Sequence, residues 1–425
     1  MHNDGSRAKL SSASPRFQQI LGLDLLRFAA AFLVLAYHIG FIIRAPSNPL
    51  RSYMPVAAGP SFTPPTFWFG FIGVEIFFVI SGFVIAYSAE HSRPARFVRD
   101  RVVRLGPALW LCASMSLVLF LAFSTYGTIE ISKRYLKEMI FWPKEPWLHP
   151  VVWTLGIEIV FYSLVFLLLV FKRFHLISAL AACLTGASLA FHLIMLVLNC
   201  NAPDLPAACA LFDQQARLLQ LTLLRHGCFF AFGIFLWLWM VKSVSPWRLW
   251  WAPLAFLACI LEIISAVTVE ERMDAHVLYS GELNDSVAVA VWITAMALII
   301  AAVHLNRPIS NAMGRRSKQA IRLVGLTTYP LYLVHYAWLG ALLLPIMALG
   351  FDVSSSLWLS AIGVTILSIA IAAWCEPALQ ARTRSAIDAI GEMLAPGLFA
   401  REAPSVDALQ LQKAGDVAQS RDPAE

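Results

Sequence analysis

The stretch QILGLDLLRFAAAFLVLAYH, residues 19–38, decides the fold, because an apolar run long enough to cross a bilayer carries an arginine and a histidine. Ionisable side chains are rare inside membrane helices and usually serve a function there. The eleven residues from Arg27 to His38 turn an α-helix by about 1100°, close to three full turns. The two side chains therefore share one helix face, about 16 Å apart, and we expect that face to point away from lipid.

The composition excludes a soluble globular protein. Of the 425 residues, 59% are hydrophobic and only 14% are charged, and the mean hydropathy is +0.69. Ten stretches come close to the ~20 residues needed to cross a membrane: 20–42, 69–88, 105–123, 151–171, 177–199, 221–241, 250–268, 286–304, 323–345 and 356–375. The sequence predicts an all-α, polytopic membrane helix bundle of about ten transmembrane helices.

Lysine and arginine predict the orientation of this bundle. With a cytoplasmic amino terminus, 22 of the 32 basic residues fall in inside segments, as short cytoplasmic loops favour. Both termini are then cytoplasmic. The formal net charge of +6 follows from this topology, and the short basic runs do not indicate a nucleic-acid partner.

Three regions are predicted along the chain. Residues 1–19 form a cytoplasmic segment, 20–377 the membrane domain, and 378–425 a cytoplasmic tail that is largely disordered because its composition is polar and mixed in charge. None of the seven cysteines has a spacing typical of a metal site, so no metal is expected. Cys200 and Cys209 share one outside loop. The sequence is consistent both with a disulfide between them and with two free thiols.

Four further motifs place polar groups in or near the spans. Residues 73–83 (GVEIFFVISGF) bring Glu75 into the second span, beside glycines that allow helices to approach closely. Arg101 and Arg104 share one face at the cytoplasmic boundary, and their guanidinium groups suit phosphate oxygens. Residues 153–158 (WTLGIE) end on Glu158, and residues 327–335 (TTYPLYLVH) end on His335 at mid-membrane depth.

Taken in order, these motifs resemble the integral membrane acyltransferase-3 family. The family's Leu-Asp-x-Leu-Arg run is matched at residues 23–27, and its arginine and histidine, with ten residues between them, are matched at 27 and 38. Its Gly-Val-x-x-Phe-Phe-Val-x-Ser-Gly-Phe signature is matched at residues 73–83. Its Arg-x-x-Arg, Trp-Ser/Thr-Leu-x-x-Glu and Tyr-x-Leu-Tyr-x-x-His motifs are matched at residues 101–104, 153–158 and 329–335. The closing Glu-x-Pro pattern lacks its middle residue at Glu376-Pro377, and Leu25 and Phe28 stand where glycine is frequent. The resemblance runs from Leu23 to Pro377.

The resemblance implies an enzyme of the bacterial cytoplasmic (inner) membrane, with many spans, that carries out O-acetylation or a similar transfer. The donor would be acetyl-CoA or another acyl-CoA as co-substrate. The acceptor would be a hydroxyl of a surface or lipid-linked glycan, which makes polysaccharide modification the expected process. A secondary metabolite or a Nod-factor-like oligosaccharide is an alternative acceptor.

Acyl transfer needs a base for the incoming hydroxyl and positive groups near the developing charge. His38 is the predicted general base, although it could also carry the acyl group covalently. The other roles, each with a structural alternative, are assigned as follows: Glu158 and His335 are further candidate catalytic residues, Arg27, Arg101 and Arg104 bind the acyl-CoA, and Asp24, Glu75 and Tyr332 orient these groups.

The rival class is a small-solute membrane transporter, which would also place arginine, histidine and glutamate in its spans. Such transporters are commonly built from inverted repeats, and the sequence shows no internal repeat. Acyl-CoA turnover by the purified protein, set against solute flux in vesicles, separates the two classes.

Overall fold

The fold is a bundle of helices. The computed structural model describes residues 19–41, 67–124, 126–200, 209, 215–245, 249–270 and 283–394, and these contain no β-strand. The helices are α1 (Leu21–Gly40), α2 (Ile72–Ala89), α3 (Pro94–Phe123), α4 (Thr128–Met139), α5 (Trp153–Val170), α6 (Ile177–Val197), α7 (Ala216–Leu221), α8 (Gly227–Met240), α9 (Trp251–Glu270), α10 (Asp285–His304), α11 (Asn306–Ala312), α12 (Arg315–Ala348), α13 (Val353–Ala370) and α14 (Glu376–Leu394).

The predicted all-α polytopic bundle is confirmed. Nine helical segments of the described chain are long and apolar enough to cross a membrane. The stretch at 221–241 differs, because its helix α8 has only 14 residues and a length of about 21 Å. Nearly every residue of α8 is buried by neighbouring helices. Irregular backbone at its ends can therefore lie at membrane depth, since protein rather than lipid surrounds it.

Glycines let α2 and α8 cross at very short range. A Cβ atom added to Gly82 would lie 2.2 Å from the carbonyl oxygen of Phe230, and one added to Gly233 would lie 2.1 Å from that of Val79. Real Cβ atoms do not come so close to backbone oxygens. The two glycines therefore fix the separation of two helices that form the centre of the bundle.

Replacing Gly233 with alanine is expected to destabilise the protein by about 1–3 kcal/mol, because the rigid backbone of α2 would have to move. Thermal unfolding in detergent measures the change. The matched control is Gly186→Ala in α6, where the added Cβ meets only the Trp251 ring at 3.7 Å. A Gly233→Ala protein as stable as this control would contradict the close crossing.

Helix α12 packs against α1, α3 and α13 and brings the two histidine motifs together. Its contact with α1 is close at Gly325, where an added Cβ would lie 2.6 Å from the Cβ of Asp24. From this crossing the two helices run side by side, so that His335 of α12 reaches His38 of α1.

The predicted outside loop 124–150 folds back along the bundle. Helix α4 runs antiparallel to α3: the Ser114 and Tyr135 hydroxyls are 2.9 Å apart, and the Trp110 indole N–H donates to the carbonyl oxygen of Met139 at 2.9 Å. At the start of α5, Arg217 donates to the Trp153 carbonyl oxygen. This segment is thus part of the packed bundle.

The segment predicted as a tail begins as a docked helix. Helix α14 lies against the start of α3, where Arg99 donates to Asp388 at 2.8 Å and Arg104 donates to the buried Glu376 at 3.1 Å. The rest of that segment, residues 395–425, lies outside the described residues, as does the predicted amino-terminal segment except for Gln19. Of the two alternatives for Cys200 and Cys209, the structure has the disulfide.

Candidate functional site

Two histidines from α1 and α12 face each other inside the bundle. His335 Nε2 lies 3.4 Å from His38 Nδ1, and the ring centroids are 4.8 Å apart. His335 is buried, whereas His38 is partly exposed. The sequence predicted each histidine to be functional but gave no reason to place them in contact.

The surrounding carbonyl groups determine which ring nitrogens carry hydrogen. His335 Nδ1 lies 3.1 Å and 2.9 Å from the carbonyl oxygens of Leu331 and Tyr332, and His38 Nδ1 lies 2.8 Å from that of Val34. Carbonyl oxygens only accept, so each Nδ1 must be the donor. In two neutral rings, the single Nδ1–H of His38 is then shared between the Val34 carbonyl oxygen and, at the longer distance of 3.4 Å, His335 Nε2. The remaining nitrogen, His38 Nε2, keeps a lone pair and has no hydrogen-bond partner among the described residues.

Tyr332 ties the start of α5 to the histidine pair. Its hydroxyl donates to the Val151 carbonyl oxygen at 3.2 Å and lies 3.0 Å from the Thr154 hydroxyl. Its backbone carbonyl is one of the acceptors of His335. The structure therefore places Tyr332 beside His335. Glu75 is buried in α2 and interacts electrostatically with Tyr332.

A second polar cluster lies at the other end of α1. Arg27 Nη1 is 3.9 Å from Asp24 Oδ1 and interacts electrostatically with Glu158. Glu158 accepts a hydrogen bond from Ser81 and interacts with Tyr162 and Arg101. Among the described residues, no hydrogen bond joins Glu158 to either histidine of the pair. Glu158 therefore belongs to the cluster that contains Arg27. Arg27 lies about 16 Å from His38 along α1.

Arg101 and Arg104 of α3 have different surroundings in the structure. Arg104 is paired with the carboxylate of Glu376, whereas the Nε of Arg101 is buried and has no hydrogen-bond partner among the described residues. Arg101 lines a cavity of about 370 Å³. The remaining lining residues are mostly apolar and come from α3, α5 and the turn after α4: Phe97, Val98, Val102, Leu105, Phe141, Ile159, Tyr162, Ser163 and Phe166.

Sequence reasoning missed three partners in these clusters. Ser81 lies inside a recognised motif and Tyr162 four residues after one, but their contacts with Glu158 depend on how α2 and α5 pack. Glu376 was noticed only as part of an imperfect closing motif, and the structure gives it a partner in Arg104. Among the described residues, no group of three or more histidine, cysteine, aspartate or glutamate side chains could hold a metal ion.

Comparison with known proteins gives a family match and a partial relative. The sequence model of the acyltransferase-3 family, described as an acyltransferase domain, matches residues 20–376. The "Exopolysaccharide production protein ExoZ" of Rhizobium meliloti (strain 1021) is 31% identical over 107 residues, which is 23% of this chain and 33% of that protein. The chain thus matches only a third of the length of this relative. No solved structure matches the chain. The family match supports the acyltransferase prediction over the transporter alternative.

Proposed function

Because the chain belongs to the acyltransferase-3 family, we propose that it transfers an acetyl or other short acyl group from cytosolic acyl-CoA to a hydroxyl of a surface or lipid-linked glycan. The reaction takes place in a bacterial inner membrane, with His38 as the general base. The family match supports the transfer chemistry, and the arrangement of the two clusters supports the path of the acyl group.

The assignment of His38 as the general base rests on its free ring nitrogen, Nε2. A general base must offer a lone pair to the hydroxyl that it deprotonates. His335 and the Val34 carbonyl hold the opposite side of the ring, so Nε2 is the nitrogen left for the acceptor. His335 accepts from His38 Nδ1 and so assists catalysis by orienting the base and by stabilising the imidazolium that forms.

The cavity beside Arg101 is the proposed entrance for the donor. Arg101 is half-buried, its buried Nε–H has no hydrogen-bond partner among the described residues, and its guanidinium group would bind CoA phosphate oxygens. The apolar lining then receives the rest of the donor. Arg27 lies beyond this entrance, and α1 leads from there to His38 over about 16 Å.

The carboxylates support the positive groups in this scheme. Glu158 balances Arg27 and Arg101, which would otherwise repel each other inside the bundle. Its catalytic contribution is therefore to hold the donor-binding arginines in place. Arg104 contributes to phosphate binding as a second positive charge, while Glu376 fixes its position.

The acceptor is proposed from the relative. ExoZ is described as an exopolysaccharide production protein, which favours a polysaccharide acceptor over a small secondary metabolite. The predicted outside loops 43–68 and 269–285, which would face such an acceptor, lie almost wholly outside the described residues.

Replacing Arg101 with alanine is expected to raise the KM for acyl-CoA by about 10- to 100-fold, because a charge-assisted contact contributes about 1.5–3 kcal/mol. The assay follows label from radioactive acetyl-CoA into membrane glycans, using purified protein. The wild-type protein should incorporate label as an alkali-sensitive ester. Transport without incorporation would contradict the proposed function.

The matched control is Arg96→Ala. Arg96 lies on the same helix near its start, pairs with Asp100 at 3.7 Å and does not line the cavity. An equal rise of KM in both variants would mean that Arg101 acts only as one more cytoplasmic charge.

A further inference from the structure

A buried serine, histidine and glutamate form a hydrogen-bonded chain outside the site described so far. Ser116 Oγ lies 2.7 Å from His149 Nε2, and His149 Nδ1 lies 2.6 Å from Glu138 Oε1. The second oxygen of Glu138 accepts the backbone N–H of His149 at 3.0 Å. All three residues are completely buried.

The proton positions in this chain are those of an activated serine. The Glu138 carboxylate accepts from Nδ1, so the neutral imidazole of His149 keeps its lone pair on Nε2. The Ser116 hydroxyl then donates to that nitrogen. A nucleophile beside a base that is itself oriented by a third group is the arrangement by which serine attacks acyl groups in unrelated folds.

Ser116 differs from an ordinary helix serine. Two residues earlier on α3, the Ser114 hydroxyl donates to the Trp110 carbonyl oxygen four residues back, at 2.7 Å. Serines within helices commonly make that bond. The hydroxyl of Ser116 instead goes to His149, and it has no other hydrogen bond among the described residues.

Hydrogen bonds and neighbouring residues connect the Ser116–His149–Glu138 chain to both the donor cavity and the histidine pair. Glu138 is three residues before Phe141, which lines the cavity. On the other side, the Tyr332 hydroxyl donates to the carbonyl oxygen of Val151, two residues after His149, and the Tyr332 carbonyl oxygen accepts from His335. Ser116 is therefore connected, through His149 and Tyr332, to His335, which contacts the proposed base.

We propose that Ser116 carries the acyl group between donor and acceptor, an inference that rests on the proposed transfer from acyl-CoA. Ser116 Oγ attacks the thioester carbonyl carbon and gives its proton to His149 Nε2. The carbon–sulfur bond breaks, and CoA leaves as a thiolate that takes a proton from water after it has left the buried site. The product is an acyl-serine ester beside a protonated His149, whose charge is balanced by Glu138.

The second step returns the enzyme to its starting state. The acceptor hydroxyl loses its proton to His38 Nε2 and attacks the carbonyl carbon of the ester. The bond to Ser116 breaks, and the serine oxygen takes back the proton held by His149. His38 then releases its proton to water. Complete burial of Ser116 keeps water away from the ester until the acceptor arrives.

The test is to incubate the purified full-length protein with radioactive acetyl-CoA in the absence of acceptor, and to map the label by peptide mass spectrometry. The inference predicts an acetyl group on Ser116 and a burst of CoA release close to one per chain. His38→Ala should keep this label but fail to pass it to membrane glycans. Ser116→Ala should lose the label and lower transfer more than about 10³-fold, whereas Ser114→Ala should retain both.

Two results would overturn the inference separately from the proposed function. Transfer to glycans by the wild-type protein, with no label on Ser116 in the absence of acceptor, would mean direct transfer from CoA. Unimpaired transfer by Ser116→Ala would mean the same. If Ser116→Ala does not fold, Ser116→Cys replaces it, and an acetyl thioester on that cysteine is the expected result. No transfer by the wild-type protein would contradict the proposed function itself.

Discussion

Replacing His38 with alanine is expected to lower the rate of acyl transfer by about 10²- to 10⁴-fold, the usual contribution of a positioned general base. The acceptor hydroxyl would then have to lose its proton to water or to a less favourably placed group. The helix itself should remain intact, because His38 is only partly exposed and its Nδ1 bonds within its own helix and to His335. The measurement is label transfer from acetyl-CoA to membrane glycans at equal protein levels.

The control for this prediction is His304→Ala. His304 lies in the last turn of α10 and is exposed, and its ring stands edge-on to that of Trp239, with 6.1 Å between the ring centroids. The His304→Ala protein should transfer acyl groups at the wild-type rate. If the His38→Ala protein did so too, His38 would be a packing residue and the base would have to be sought elsewhere.

Replacing Glu262 with alanine is expected to destabilise the protein by about 3–5 kcal/mol, because it leaves buried positive charge without its partner. Glu262 of α9 is almost completely buried, and its Oε1 lies 2.9 Å from Arg225 Nη2. His192 Nε2 of α6 lies 3.3 Å from the other oxygen. The cluster thus joins α6, α9 and the turn before α8. Unfolding in detergent by heat or denaturant measures the loss.

Glu130→Ala is the control for Glu262. Glu130 forms a comparable pair with Arg134 at 2.8 Å, but on the exposed surface of α4. Solvent screens such pairs, so this change should leave stability almost unaltered. Equal loss from both variants, or no loss from either, would contradict the account of a buried charge cluster.

The sequence predicted the architecture because membrane helices must satisfy their backbone hydrogen bonds internally and must be apolar. The spans around Arg27, Glu75 and His335 are all found as helices. The stretch around Arg225 was harder, because hydropathy reports how apolar residues 221–241 are, but not where the helix begins. The turn at 222–226 places Arg225 in the Glu262 cluster and leaves only 14 residues for α8.

The sequence motifs also singled out most residues of the candidate site. They did not show which of these residues lie together. Spacing along α1 correctly put Arg27 and His38 in one helix, and their separation predicted two distinct places. It could not show that Glu158 joins the arginines rather than the histidines, because that depends on how α5 packs against α1 and α2. The roles of these residues stay predictions.

The residues 138 and 149 show why loops are the weakest part of such predictions. Residues 124–150 lie between two predicted spans and were expected to form an outside loop, and α4 within them does expose Ile129 and Glu130. Its other face buries Glu138 against α3, where His149 satisfies the carboxylate. A pattern of charged residues does not show which of them has a buried partner. The partner of Glu138 is His149, eleven residues further along the chain.

The most direct test of the central claim is the O-acetyl content of surface glycans, measured by NMR in a strain that lacks this protein and in its parent. The account predicts that O-acetyl signals are lost on deletion, return with the wild-type protein and do not return with His38→Ala. Unchanged O-acetyl signals in the deletion strain, or full restoration by His38→Ala, would contradict it.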